Sequence, residues 1–204
     1  GVQVAKNQRN KLNMLSALLR LRQVCTHPGL INDFKDLTIE SAKFEMLKQK
    51  CDQLIDEGHK VVVFSQFTSM LDIIQKWLEE QSIKFERIDG TISGKKRMDA
   101  VDRFQDGKDP MIFIISLKAG GVGLNLTAAD YVIHIDPWWN PAIEAQATDR
   151  VHRMGQKNKV IVYKLICAGT IEEKINQLQN EKKQLLSEIV DIDTAAEKKI
   201  DFDE

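Results

Sequence analysis

Cysteine is scarce in this 204-residue chain: Cys25, Cys51 and Cys167 lie far apart and form no CxxC pair. That excludes a disulfide framework and argues against a zinc site. The four histidines, His27, His59, His134 and His152, show no ligand spacing, so they read as structural or surface residues and no metal site is expected. Long apolar runs are missing too. The longest strings cover 61–64 and 111–115, far below the roughly 18 residues of a membrane span, so no membrane partner is expected. Net charge is nearly absent: 29 basic and 30 acidic residues leave −1, which by itself points neither to nucleic acid nor to a lipid surface. There is no signal-peptide pattern and no internal repeat, and the chain opens on Gly1, as a piece cut from a longer protein in a reducing compartment would. What is present is apolar content of 43%, ample for a core packed on two faces.

The charge that cancels overall is unevenly placed. Residues 1–32 carry Lys6, Arg9, Lys11, Arg20 and Arg22 and no acid, and 146–164 hold Arg150, Arg153, Lys157, Lys159 and Lys164 against Asp149 alone. Residues 188–204 are acidic and read as a frayed tail. Such basic patches suit phosphates, but they are also what solvated helix faces look like.

Leu12, Leu15 and Leu19 stand at helical spacing in a first helix over about 1–25, stopped by His27-Pro28-Gly29. A second helix is expected over about 41–57. Beyond it, short β-branched runs alternate with helical segments: strands at 61–65, 85–88, 111–116, 131–135 and 160–165, helices at 69–80, 95–104 and 142–151. Continuous apolar strands separated by helices predict an α/β fold with a mostly parallel sheet covered on both faces. A last helix is expected from 170 to about 190, with Ile171, Ile175, Leu178, Leu185 and Ile189 as its apolar set. In such folds the loops at the strand carboxyl ends hold ligands, and here they contain 65–68, 89–91, 116–125 and 136–141.

Three strings imitate nucleotide-hydrolysis motifs and fail on context. Asp56-Glu57-Gly58-His59 spells DExH but precedes a strand, where such acids would need to follow one. Gly90-Thr-Ile-Ser-Gly94-Lys95-Lys96 is one residue short of a phosphate-binding P-loop and has Lys96 where a Mg²⁺-holding hydroxyl belongs. Gly121-Val-Gly123-Leu-Asn-Leu126 lacks the third glycine of the dinucleotide fingerprint. No self-sufficient triphosphate site is therefore expected.

The positive signal is Gln146-Ala-Thr-Asp149-Arg150-Val-His152-Arg153. On one helix Gln146, Arg150 and Arg153 would fall within about 60° of one another. Paired guanidiniums on one face call for an anion or paired acids between them, and phosphoryl transfer uses such planar, permanently charged forks. A surface helix bridged to Asp149 or Glu144 is the plainer alternative. Ser116-Leu-Lys118-Ala119-Gly120-Gly121-Val-Gly123 follows a strand with small residues that let backbone amides approach a phosphate, unless it is simply a glycine-rich turn. Of Trp138 and Trp139 at a strand exit, one suits the core and the other a sugar or base. Ser65-Gln66-Phe67-Thr68 offers polar groups beside a helix N-terminus.

Taken in order, VVVFSQFTSM at 61–70, Arg87-Ile-Asp89-Gly90 through Arg97, SLKAGGVGLNLT at 116–127, DPWWNP at 136–141 and QATDRVHRMGQ at 146–156 resemble the second RecA-like lobe of a Swi/Snf-type DNA translocase, a superfamily 2 helicase-like ATPase. The flanks LRQVCTHPGL at 21–30 and GTIEEKINQLQ at 169–179 also resemble that family. The resemblance implies a RecA-like three-layer α/β/α lobe over 38–168, an N-terminal helical flank over 1–37 from an inter-lobe protrusion, a brace-like helix over 169–190 and an unmatched acidic tail over 191–204.

It implies ATP with Mg²⁺, held mainly by a first lobe of the same polypeptide, with Arg150 and Arg153 as arginine fingers and Gln146 linking nucleotide state to lobe position. It implies nucleotide contacts from Gly121, Gly123 and Asn125, and contacts to double-stranded DNA from Ser65, Gln66, Arg97, Ser116, Lys118, Gly120 and Trp139. The chain alone is then expected to be a monomer without ATPase activity, from a bacterial nucleoid or, in a eukaryote, a nucleus. Two rivals remain at this point: a non-catalytic DNA- or protein-interaction module, and a small-molecule nucleotide enzyme on a doubly wound sheet.

Overall fold

The computed structural model describes residues 2–34, 39–107, 112–119, 123–153, 155–156, 158–182 and 184. Five strands alternate with helices: α1 (Val2–Thr26), α2 (Ala42–Asp56), β1 (Val61–Ser65), α3 (Thr68–Glu80), β2 (Phe85–Ile88), α4 (Gly94–Asp106), β3 (Ile112–Ser116), β4 (Tyr131–His134), α5 (Pro141–Thr148) and β5 (Ile161–Lys164). A further helix, α6, runs over 171–182. The strands form one parallel sheet in the order β2-β3-β1-β4-β5.

β1 is buried along its whole length because it lies at the centre, with Val61 opposite Ile112 on one side and Tyr131 on the other. Its alternate side chains feed two separate cores. Val62 and Phe64 join Phe113, Ile115 and Val132 under α4 and α5, where Ala100, Phe104 and Ala147 pack. Val61 and Val63 join Ile112, Ile114 and Ile133 under α2 and α3, where Leu47, Leu54, Leu71 and Leu78 pack. This is the three-layer α/β/α architecture that the alternating runs predict. Parallel strands bring the loops after β1, β2, β3 and β4 to one edge of the sheet, which is where the chemically loaded segments lie.

Local capping fixes the helix entries. Ser41 Oγ accepts from the amide of Phe44 and donates to the carbonyl of Thr26, so one hydroxyl starts α2 and ties it to the end of α1. Asn140 caps α5 and Pro141 fills its first turn.

Two expectations change, on α5 and α6, and α1 shows an exposed apolar face. α5 ends at Thr148 instead of continuing to 151. The leucine stripe of α1 faces solvent, with Leu12, Leu15 and Leu19 exposed by 64%, 59% and 46%. On α6 the inward face is Glu172, Ile175 and Gln179, while Leu178 is exposed, so polar groups do part of the packing expected of leucines. Glu172 forms a buried ion pair with Lys43 of α2 and also accepts from the amide of Cys167. Leu185, Ile189 and the acidic tail lie outside the described residues.

Candidate functional site

The turn that ends α5 positions the arginines. Asp149 closes the helix by donating its amide to Ala145. The next two amides bond only three residues back, Arg150 to Ala147 and Val151 to Thr148, before His152 bonds Thr148 at the α-helical spacing, so the chain tightens into turns. Val151 is wholly buried and pins those turns to the core. The single helical face expected for Gln146, Arg150 and Arg153 is therefore not built by one helix. Their side chains nonetheless converge on one cavity. Gln146, Asp149, Arg150 and Arg153 line a cavity of about 200 Å³ together with Gly123 and Leu124 from the loop after β3.

Arg150 is the unusual member. It is only 7% exposed, and its Nε and Nη1 are buried with no hydrogen-bond partner. Burial, and then the charge of the neighbouring Arg153, hold its pKa below the ordinary guanidinium value. Among the described residues neither arginine forms a salt bridge, so the plainer reading of a helix locked to Asp149 or Glu144 does not hold. Glu144 is committed elsewhere, to Lys164 and to the amide of Trp138. A buried, unpaired guanidinium is costly unless something anionic completes it, and the cavity in front of it fits that role.

The loop after β3 shares this wall. Gly123 adopts a left-handed φ of 39°, exposed and open, and the amide of Leu126 donates to the carbonyl of Arg150. Asn125 is exposed and is not among the cavity-lining residues; its carbonyl accepts from Gln105 of α4. Gly120 and Gly121 lie outside the described residues. Among the described residues no group of three or more His, Cys, Asp or Glu gathers for a metal ion.

A second cluster occupies the ends of β1 and β4. Ser65 is wholly buried, donating Oγ to Asp136 Oδ2 and accepting from the amide of Phe67. The amide of Gln66 donates to both oxygens of Asp136, at 3.0 and 3.3 Å. Ser116 is also buried and accepts from the amide of Ala119. These two serines were expected to face DNA. Instead both are buried in the lobe, Ser65 donating and accepting there and Ser116 accepting, so that they shape the turns that follow β1 and β3. Burial pushes the Asp136 carboxyl up to about 6, against the downward pull of its hydrogen bonds from Ser65 and Gln66.

The remaining candidates are distributed as follows. Lys118 is exposed, and Trp139 is 42% exposed while Trp138 packs on the core. Arg97 is half-buried and donates to the carbonyl of Ile92. Gln66 is half-buried, with its side-chain nitrogen unpartnered.

Sequence reasoning missed Asp136 as the organising acid and gave Arg22 no role of its own, placing it only in a basic patch and in the flank at 21–30. Arg22 is buried, donates Nη2 to the carbonyl of Pro137 at 2.6 Å and lies 5.2 Å from the Trp139 ring centroid. No local pattern could have announced a contact across so long a stretch of chain.

Residues 42–155 match the family model described as the helicase conserved C-terminal domain. An ATP-dependent helicase of Mycoplasma pneumoniae is 41% identical over 179 residues, which are 88% of this chain and 17% of that protein. The chromodomain-helicase-DNA-binding protein 3 homolog of Caenorhabditis elegans is 37% identical over 200 residues, 91% of this chain and 11% of that protein. The chain thus spans less than a fifth of the length of these curated relatives. Among solved structures, the Sulfolobus solfataricus SWI2/SNF2 ATPase core in complex with dsDNA aligns with a TM-score of 0.72 at 39% identity, covering 87% of this chain and 37% of that one. The C-terminal domain of the Sulfolobus solfataricus enzyme gives 0.69 at 37%, covering 86% and 72%. The chain belongs to the helicase conserved C-terminal domain family, as the second RecA-like lobe of a Swi/Snf-type ATPase.

Proposed function

We propose that this lobe is half of an ATP-dependent motor on double-stranded DNA, completing with Arg150 and Arg153 a triphosphate site whose floor and Mg²⁺ ligands belong to a first lobe of the same polypeptide. One observation carries the reading: Arg150, which has two buried nitrogens without partners, lines a cavity that Arg153 and Gln146 also line. That geometry supplies planar, fixed donors for charge developing on a transferred γ-phosphoryl group. Asp149 lines the same cavity, yet among the described residues neither arginine forms a salt bridge with it, which leaves both guanidiniums available to a phosphate.

The working cycle follows from where the charges lie. With triphosphate in place the arginines draw the two lobes together. Hydrolysis and phosphate loss remove the anion that held them, and the cleft opens. Gln146, beside the arginines, senses which state is present. The loop after β3 joins the cavity through Gly123 and exposes Lys118, so it links nucleotide state to grip on the DNA backbone. Trp139, Gln66 and Arg97 belong to the same DNA-facing surface. Contact through the backbone makes binding tolerant of sequence and steeply dependent on salt.

The test compares DNA-stimulated ATP hydrolysis by the protein carrying both lobes with that of this 204-residue chain. Turnover is expected from the first and none from the second. ATP hydrolysis by this chain alone would overturn the shared-site reading.

A further inference from the structure

Of the described side chains on α1, only Arg22 and Thr26 are buried; Leu18 is half-buried, and Leu12, Leu15, Leu19 and Leu21 face solvent. The helix therefore pushes a guanidinium, not an apolar group, into the lobe. Burial pulls the Arg22 pKa down, and only the charges of Asp136 and Glu172 oppose that pull. What Arg22 gains in return is specific. Its Nη2 donates to the carbonyl of Pro137, and its charge lies 5.2 Å from the Trp139 ring centroid, 5.9 Å from Trp138 and 6.0 Å from Phe67.

The same loop is gripped from the opposite flank. Gln179 of α6, also buried, donates Nε2 to the carbonyl of Trp138 and to Glu144 Oε1, and that carboxylate oxygen accepts from the amide of Trp138. The carbonyls of Pro137 and Trp138, neighbours in sequence, are thus held by one side chain from each flanking helix. Between them these bonds fix the backbone immediately before Trp139, and the Arg22 cation fixes the face on which its half-exposed ring rests.

We propose that Arg22, together with Gln179, is a positioning residue that holds the Trp139 ring in its DNA-contacting pose, so that the docking of the two flanking helices sets how tightly the lobe holds duplex. This rests on the placement of Trp139 against DNA argued above. An indole held ready loses less freedom on binding than one that turns in solvent, and ordering one such side chain is worth roughly a 3–10-fold change in affinity.

The experiment measures DNA-stimulated ATP hydrolysis by the protein carrying both lobes, reading the duplex concentration for half-maximal rate separately from kcat. Arg22→Gln is expected to raise that concentration roughly 3–10-fold, with a much smaller effect on kcat. Gln179→Leu moves it the same way, and Arg22→Lys, which keeps a cation near the ring, recovers part of the loss. In the Arg22→Gln/Trp139→Ala double variant the loss is no larger than for Trp139→Ala alone. Should Trp139→Ala weaken the response to duplex while Arg22→Gln and Gln179→Leu do not, or should the losses simply add, the positioning role is overturned. A Trp139→Ala protein with an unchanged response overturns the DNA placement of Trp139 and the positioning role with it. If Arg22→Gln does not fold, Gln179→Leu and Arg22→Lys decide the matter by the same readout.

Discussion

The amide of Leu126 donates to the carbonyl of Arg150 across 3.0 Å, so the loop after β3 and the turn that carries the arginines are fastened to each other. Leu124, two residues earlier, is buried and lines the arginine cavity. A displacement of either segment therefore moves the other. The exposed Lys118 lies in the same β3–β4 connection, six residues before Leu124.

Arg150 is held at the expense of fold stability, because two of its nitrogens are buried without partners. Arg150→Met, which removes the charge and keeps the length, should raise the stability of this chain by about 1–2 kcal/mol while removing its function. Urea denaturation of the two proteins checks it. A loss of stability in the variant would mean that Arg150 is already satisfied within the fold.

The ion pair between Lys43 and Glu172 docks α6 against α2 with both side chains buried. Lys43→Met leaves an uncompensated buried carboxylate and should cost about 3–5 kcal/mol, whereas Lys43→Met/Glu172→Leu should recover most of that loss. Thermal and urea unfolding of the single and double variants measure the difference. Equal destabilisation of both would show that the charge is not what matters there.

Stability between pH 4 and 6.5 should be flatter than either buried group alone would make it. Burial lowers His134 from 6.5 to about 4, so below pH 6.5 the unfolded chain takes up a proton that the folded one refuses, and stability falls until about pH 4. Burial raises Asp136 from 3.8 to about 6, so as pH falls through 6 the folded chain gains a proton before the unfolded one, and stability rises until about pH 3.8. The two trends oppose each other, each by roughly 3 kcal/mol at most. His134→Gln should become more stable on acidification from pH 6 to 4, and Asp136→Asn should lose stability from pH 6.5 to 4. Parallel pH profiles for the two variants would contradict the assignment.

Ser65 and Lys118 should separate cleanly. Ser65→Ala deprives a buried carboxylate of a donor and should cost about 1–3 kcal/mol of stability. Lys118→Ala should leave stability within about 0.5 kcal/mol but weaken duplex binding and reduce the slope of log affinity against log salt by about one. A fully stable Ser65→Ala protein with weakened DNA binding would return that hydroxyl to the DNA surface.

The central strands β1 and β3 were legible because each is a short apolar, β-branched run buried along its whole length, whereas the edge strands β2 and β5 are only partly buried and carry a weaker pattern. Convergence of Gln146, Arg150 and Arg153 was legible from spacing, but its cause was not. Residues 149–153 contain no glycine or proline to mark a helix end, and the burial of Val151 and the bond from Leu126 that accompany the turns are long-range contacts. The leucines of α1 show a helical face without saying what covers it. Ser65 and Ser116 misled for a related reason: polar residues at strand ends can serve a ligand or a neighbouring loop. Here Asp136 and the amide of Ala119 take them.

The most direct test of the central claim is DNA-stimulated ATP hydrolysis by the protein carrying both lobes, with Arg150 and Arg153 replaced singly by alanine and folding verified. Each replacement should lower kcat by roughly 10³-fold or more, as loss of an arginine finger does elsewhere, while duplex binding persists. Near-normal turnover in either variant would contradict the account.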